Sequence, residues 1–298
     1  MTVYFYFISF VLAYSCNYFE GPQLSEKQIL NQLNRIKYDL ESPDKKYKLH
    51  YDLEEISGLS YYQEGKIACI QDENGILFIY DLEDESIVRE IKFAKDGDYE
   101  GLTLVKEMAY VIKSNGEISY FKLDPNSEKI DAKKVKTPLS TKNDVEGLCY
   151  LKNTDEFLIS CKGKGDHGKF DVKGKAFYSL NRTNLTFTPS PVFTIRQSSL
   201  EKFFEENKDN YATKHSPELN PSAVAQHPVS GDLFILSAKD RILLITDLDG
   251  KIIDLAILNK KLFRQPEGIC FDPKGNLFIA SEGDGGRGYI LQFHHRPS

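Results

Sequence analysis

Five short phrases of one pattern recur along the chain: Glu55-Ile-Ser-Gly-Leu59, Asp98-Tyr-Glu-Gly-Leu102, Asp144-Val-Glu-Gly-Leu148, Asn220-Pro-Ser-Ala-Val224 and Gln265-Pro-Glu-Gly-Ile269. Their starts lie 43, 46, 76 and 45 residues apart. A period in the forties, with several short strands per unit, is the signature of a β-propeller blade. The phrase also aligns a residue class. Glu100, Glu146 and Glu267 each stand immediately before a glycine at the head of a strand, and Ser57 and Ser222 take that place in the other two copies.

Strand-like runs between the phrases divide each unit into four, separated by turn residues such as Glu73-Asn-Gly75 and Asp247-Leu-Asp-Gly250. The fifth unit has three runs before the chain ends. The alternating stretch Lys46–Leu53 supplies the fourth and so removes an open sheet edge. The expected fold is therefore all-β: a propeller of five four-stranded blades, the last closed by an N-terminal strand. The long interval holds Ser198-Ser-Leu-Glu-Lys-Phe-Phe-Glu-Glu-Asn-Lys-Asp209, whose Ser cap and apolar spacing suit a helix inserted between blades three and four. A sixth, degenerate blade in that interval is the alternative.

A chain of 298 residues with 41% hydrophobic and 28% charged side chains can bury one large core. Its 38 basic and 44 acidic residues give a formal charge of −6, and no run of Lys or Arg stands out on a strand or helix, which argues against a nucleic-acid partner. Cys69, Cys149, Cys161 and Cys270 form no CxxC pair and sit among apolar neighbours, so they read as buried thiols, with a disulfide left open.

Residues 1–16 read as a signal peptide. The uncharged run from Thr2 to Tyr14 is too short to span a bilayer, and Leu12-Ala-Tyr-Ser-Cys16 resembles a bacterial lipobox with Cys16 as the lipidated residue. Residues 17–45 then read as a tether with a short helix over 25–37, and 46–298 as the single propeller domain. The implied location is the cell envelope, attached to the membrane through the lipid.

In an antiparallel blade the start of the first strand and the loop between the second and third strands share one end of the sheet. That end gathers the five phrases, Asp72 and Glu73, Lys113, the loop 162–175, Lys239 and Glu282. Long irregular segments concentrated on one side of a rigid scaffold are where binding residues collect. Glu100, Glu146 and Glu267 should meet at the mouth of the central channel. Three readings of them stay open: backbone hydrogen bonding or pairing with Lys113, Lys162 or Lys239; a site for a hard cation such as Ca2+; or acid–base chemistry through raised pKa values. The glycine after each is explained by close backbone approach near the axis.

Glu55-Ile-Ser-Gly-Leu-Ser-Tyr61, Gln71-Asp-Glu73, Gly97-Asp-Tyr-Glu-Gly-Leu102, Asn143-Asp-Val-Glu-Gly-Leu-Cys149, Cys161-Lys-Gly163, Asn220-Pro-Ser-Ala-Val-Ala-Gln-His-Pro228 and the stretch from Gln265 through Ser281-Glu-Gly283 resemble the SdiA-regulated family of bacterial propellers in its lipoprotein form. NHL-repeat propellers are more distantly similar. The resemblance implies a membrane-associated propeller and assigns no activity. The expected function is a binding module that offers its loop-rich face to a protein, glycan or small ligand. A calcium-dependent hydrolase of the lactonase or phytase kind is the alternative, with Glu100, Glu146 and Glu267 as metal ligands.

Overall fold

The computed structural model describes residues 37–168, 171–283 and 285–296. The signal peptide, Cys16 and all but the last residue of the tether helix expected over 25–37 lie outside the described residues. Those described form five four-stranded antiparallel sheets. Blade 1 is β2 (Ile56–Gln63), β3 (Lys66–Gln71), β4 (Ile76–Asp81) and β5 (Ser86–Lys92); blade 2 is β6 (Tyr99–Val105), β7 (Met108–Lys113), β8 (Glu117–Lys122) and β9 (Lys133–Lys136). Blade 3 is β10 (Val145–Leu151), β11 (Glu156–Cys161), β12 (Lys175–Asn181) and β13 (Phe193–Ile195); blade 4 is β14 (Pro221–Gln226), β15 (Leu233–Ser237), β16 (Ile242–Thr246) and β17 (Ile252–Ile257). Blade 5 is β18 (Pro266–Phe271), β19 (Leu277–Ser281), β20 (Tyr289–Phe293) and, from the other end of the chain, β1 (Lys45–Lys48).

The inner strands β2, β6, β10, β14 and β18 each touch the next, and β18 returns to β2, so the ring is closed. Each blade is covered on both faces by its neighbours, which is why its middle strands are continuously apolar: β15, β16 and β19 are buried at every residue. Outer strands meet water and read differently; in β9 (Lys133–Lys136) three of four residues are exposed. The core accordingly lies between blades as five apolar clusters. One holds Ile70, Leu77, Leu102 and Val111 between blades 1 and 2, and another holds Leu236, Leu243, Ile269 and Ile279 between blades 4 and 5.

β1 pairs antiparallel with β20, and its buried Tyr47 donates from Oη to Gln292 Oε1 at 2.6 Å. The closing strand is shorter than the sequence suggests. It stops at Lys48, and Tyr51–Leu53 turn as a 3-10 helix. Residues 37–44 lie against blades 4 and 5 on the face away from the phrases, where Tyr38 Oη donates to the Gly275 carbonyl at 2.6 Å and meets His227 Nε2 at 2.8 Å. The chain thus enters blade 5 from that far side.

Among the described residues the 76-residue interval contains no further blade. It carries helix α1 (Gln197–Glu206), whose Leu200 and Phe204 bury in the cluster between blades 3 and 4. The helix is capped at Arg196 with no side-chain hydrogen bond, so Ser198 is not its cap. The fourth strand of blade 3 is short, Phe193–Ile195, because Pro189 and Pro191 before it cannot donate to a ladder.

The ring is tightest at the phrases. A Cβ on Gly101 would lie 2.9 Å from the backbone nitrogen of Leu148, and one on Gly58 would lie 3.1 Å from that of Leu102. Gly147 and Gly268 face Val224 and Leu59 in the same way. Gly101→Ala should therefore lower stability by about 1–3 kcal/mol, the usual cost of overpacking. An unchanged or raised urea midpoint would contradict this crowding.

Candidate functional site

Each inner strand carries a register shift at the same place. Pairing jumps from Ile56 to Gly58, from Tyr99 to Gly101, from Val145 to Gly147, from Pro221 to Ala223 and from Pro266 to Gly268. The residues skipped are Ser57, Glu100, Glu146, Ser222 and Glu267. A bulge leaves one residue out of the ladder and re-aims its side chain, so the backbone itself turns these five towards the channel.

The two serines spend their hydroxyls on the ring. Ser57 Oγ donates to the Tyr99 carbonyl at 2.7 Å and Ser222 Oγ to the Pro266 carbonyl at 2.8 Å, each joining one bulge to the next blade's. The three glutamates gather instead with Glu282, Asp72 and Asp98, and among the described residues one cation stands close to them. Lys162 Nζ donates to Glu146 Oε1 at 2.8 Å. Glu146 and Glu267 are 6% and 8% exposed, so their charges sit largely out of water. Glu267 Oε2 is buried without a hydrogen-bond partner, and so is Asp72 Oδ1. An orphaned buried oxygen is costly, and two in one cluster mark it as built for something it does not itself supply.

Burial pushes these carboxyls upward, and mutual repulsion adds to it. Glu267 is raised to about 8 by desolvation and by Glu146, with Lys162 opposing. Glu282 is raised to about 7 by desolvation, Asp72 and Glu55. Asp72 is raised to about 6 by desolvation and by Glu55 and Glu73. Glu100 and Glu146 interact directly; both are raised chiefly by desolvation, Glu100 the more, because Lys162 partly offsets the shift on Glu146. Lys162 in turn is held charged by Glu146.

Six of the residues singled out from the sequence, Glu100, Glu146, Glu267, Glu282, Asp72 and Lys162, therefore converge. Three do not. Lys113 Nζ lies 5.1 Å from the ring centre of Tyr99, Lys239 is paired with Glu218 at 2.7 Å on the surface, and Glu73 is exposed. Helix α1 packs against β17 at the periphery. In the loop 162–175, Tyr178 Oη donates to the Gly165 carbonyl, and Asn143 Nδ2 donates to Lys164 and Asp166 carbonyls, each at 2.8 Å. Sequence reasoning missed Gln265, which donates from Nε2 to Glu282 Oε2 at 2.7 Å, and Asp98, which hydrogen-bonds Glu100. Both flank motif glutamates, and that adjacency was the available signal.

Among the described residues no three His, Cys, Asp or Glu side chains are grouped so as to hold a metal ion. The donor set does not fit Ca2+, which takes six to eight oxygens: two of the five ring positions are serines committed to backbone carbonyls, and the Lys162 ammonium stands against a third. The four described cysteines are free, buried thiols. At the opposite end of the channel the inner strands flare into a cavity of about 320 Å³, lined by Leu59, Leu102, Leu148, Val224 and Ile269 with Tyr61 and Tyr150 further out. The sequence reading, which placed all binding on the motif face, did not anticipate it.

The raised carboxyls give stability a direction with pH. The unfolded chain releases these protons near the ordinary 4.5, whereas the fold retains those of Glu282 and Glu267 to about 7 and about 8. Between those limits the folded protein binds more protons, so stability is full at the acid end and falls as pH rises. Urea midpoints should drop across this window, and less steeply in Glu267→Gln. A flat or rising profile in the unaltered protein would contradict the burial.

A sequence search finds no match among curated proteins. Among solved structures the chain is similar to glutaminyl cyclase from Myxococcus xanthus, with TM-score 0.55, 13% identity, and 85% of this chain and 95% of that one covered. It is also similar to a Bacteroides thetaiotaomicron protein of unknown function, with TM-score 0.51, 12% identity and coverage of 84% and 58%. A luciferin-regenerating enzyme gives TM-score 0.50 at 12% identity, with 85% and 95% covered. Likeness at these identities shows the fold alone. The SdiA-regulated family model matches residues 37–284, from the segment docked on blade 5 to the last inter-strand loop, and the chain belongs to the SdiA-regulated family.

Proposed function

We propose that the propeller is a binding module whose motif-face mouth receives the cationic group of a ligand, an ammonium or guanidinium. The observation that carries this reading is the unpartnered, buried Glu267 Oε2 in a carboxylate cluster whose close cation, among the described residues, is one lysine. Lys162 against Glu146 acts as an internal example of the contact a ligand would make to Glu267 and Glu100. An incoming cation replaces protons held on the raised carboxyls, so binding should release protons and strengthen with rising pH. The binding reading is favoured over a calcium-dependent hydrolase because the serine hydroxyls and Lys162 occupy positions that a dense oxygen cage would need. The enzymes among the structural neighbours share only the fold at 12–13% identity and assign no reaction.

In this reading the protein is exported and held to the bacterial membrane through Cys16.

Putrescine and agmatine should raise the thermal midpoint where butanediol, their uncharged counterpart, does not. Glu267→Gln should weaken that binding about tenfold or more, the loss of one charge-assisted hydrogen bond. Equal effects of charged and uncharged compounds, or stabilisation by Ca2+ alone, would contradict the proposal. Cys16→Ser should move the protein from the membrane to the soluble fraction, and unchanged fractionation would remove the anchor from the account.

A further inference from the structure

A second charged site stands at the rim of blade 5, and it is of the opposite sign. Lys46 and Lys48 project from the same side of β1, two residues apart in a strand, and Arg264 and Arg287 come from the segments flanking β18 and β20. Together with Gly283 and Tyr289 they line a cleft of about 280 Å³. In a chain of net charge −6, none of these four cations makes an ion pair with a carboxylate among the described residues.

The two arginines are held in place by uncharged partners. Arg264 Nη1 donates to the Gly283 carbonyl at 3.0 Å, and Arg287 Nε donates to the Leu49 carbonyl at 2.7 Å while its guanidinium lies 5.3 Å from the Tyr51 ring centre. Lys46 Nζ sits 3.7 Å from the ring centre of Tyr289, whose Oη accepts from the Arg264 backbone nitrogen at 3.1 Å. Among the described residues each guanidinium keeps further N–H donors unspent, in the fixed fork that suits an oxyanion. The lysines supply charge without geometry. Repulsion is already visible at Lys46, whose pKa is lowered by burial and by Arg264 and Lys48. Fixed like charges with open donors are relieved by an anion.

We infer that this cleft is a binding site for an oxyanion group, a phosphate or phosphomonoester, carried by a soluble ligand. A lipid headgroup offers the same chemistry, and the two arms of the test below separate the two sources. Lys48 and Tyr289 lie at the motif end of blade 5, whereas residues 37–44 dock at the other end. The cleft shares none of its lining residues with the carboxylate mouth, and the inference does not depend on what enters there.

The test uses the full-length chain at low ionic strength, where charge–charge attraction is least screened. Isothermal titration with inorganic phosphate and with glycerol phosphate should show saturable binding that chloride does not reproduce. Arg264→Gln should weaken it about tenfold, as expected for a lost charge-assisted hydrogen bond. Lys48→Gln leaves both anchored arginines intact and should also weaken it, and Lys122→Gln on blade 2 should not. Phosphatidylcholine vesicles with and without phosphatidylglycerol form the second arm. The inference is overturned by absence of saturable binding, by binding indifferent to both Arg264→Gln and Lys48→Gln, or by binding confined to the phosphatidylglycerol vesicles.

Discussion

The close approach of neighbouring inner strands governs this molecule. Five strands must converge on one axis, and where they come nearest each steps out of register by one residue. Glycine follows the bulge in four blades because the next strand's backbone lies where a Cβ would go, and blade 4 uses Ala223. The bulge and the glycine are thus one device. The first re-aims a polar side chain and the second lets the ring close behind it.

Placing carboxylates on such bulges has an electrostatic consequence. Ser57 and Ser222 satisfy themselves against the adjoining blade, which ties the ring together. The glutamates make no such tie to the next blade among the described residues; Lys162 offsets the shift at Glu146 and Glu267, yet burial and mutual repulsion still raise all three carboxyls above their ordinary range. A protein that keeps protons on buried carboxyls near neutral pH holds in reserve an affinity for positive charge. The same face carries its opposite at the rim of blade 5, where four cations stand without carboxylate partners among the described residues. A single propeller face therefore carries a proton-retaining acid cluster and a basic rim, each local, on a chain whose net charge of −6 reveals neither.

How much of this was legible depended on whether the signal was local. The blade count was readable because every unit repeats one phrase, and the closing strand because the last unit lacks its own fourth. The convergence of Glu100, Glu146 and Glu267 followed from strand direction alone. Lys113 and Lys239 were placed at the correct end of their blades, yet side chains at that end point to several neighbours, and theirs found Tyr99 and Glu218. The bulges could not be read, since register is a relation between two strands; the glycine was their only trace. The basic cleft was invisible for the same reason in stronger form: Lys46, Lys48, Arg264 and Arg287 meet only because the N-terminal strand closes the last blade.

The central claim is that the bulge buries Glu267 as a carboxyl reluctant to ionise. Carbon-13 NMR titration of the glutamate side-chain carboxyls, with Glu267→Gln to assign the resonance, measures this directly. The account predicts that Glu267 titrates near pH 8, well above the exposed glutamates of the same protein. Titration of Glu267 near the ordinary 4.5 would show that its carboxylate is solvated or paired, and the mouth would then hold no unmet demand for a cation.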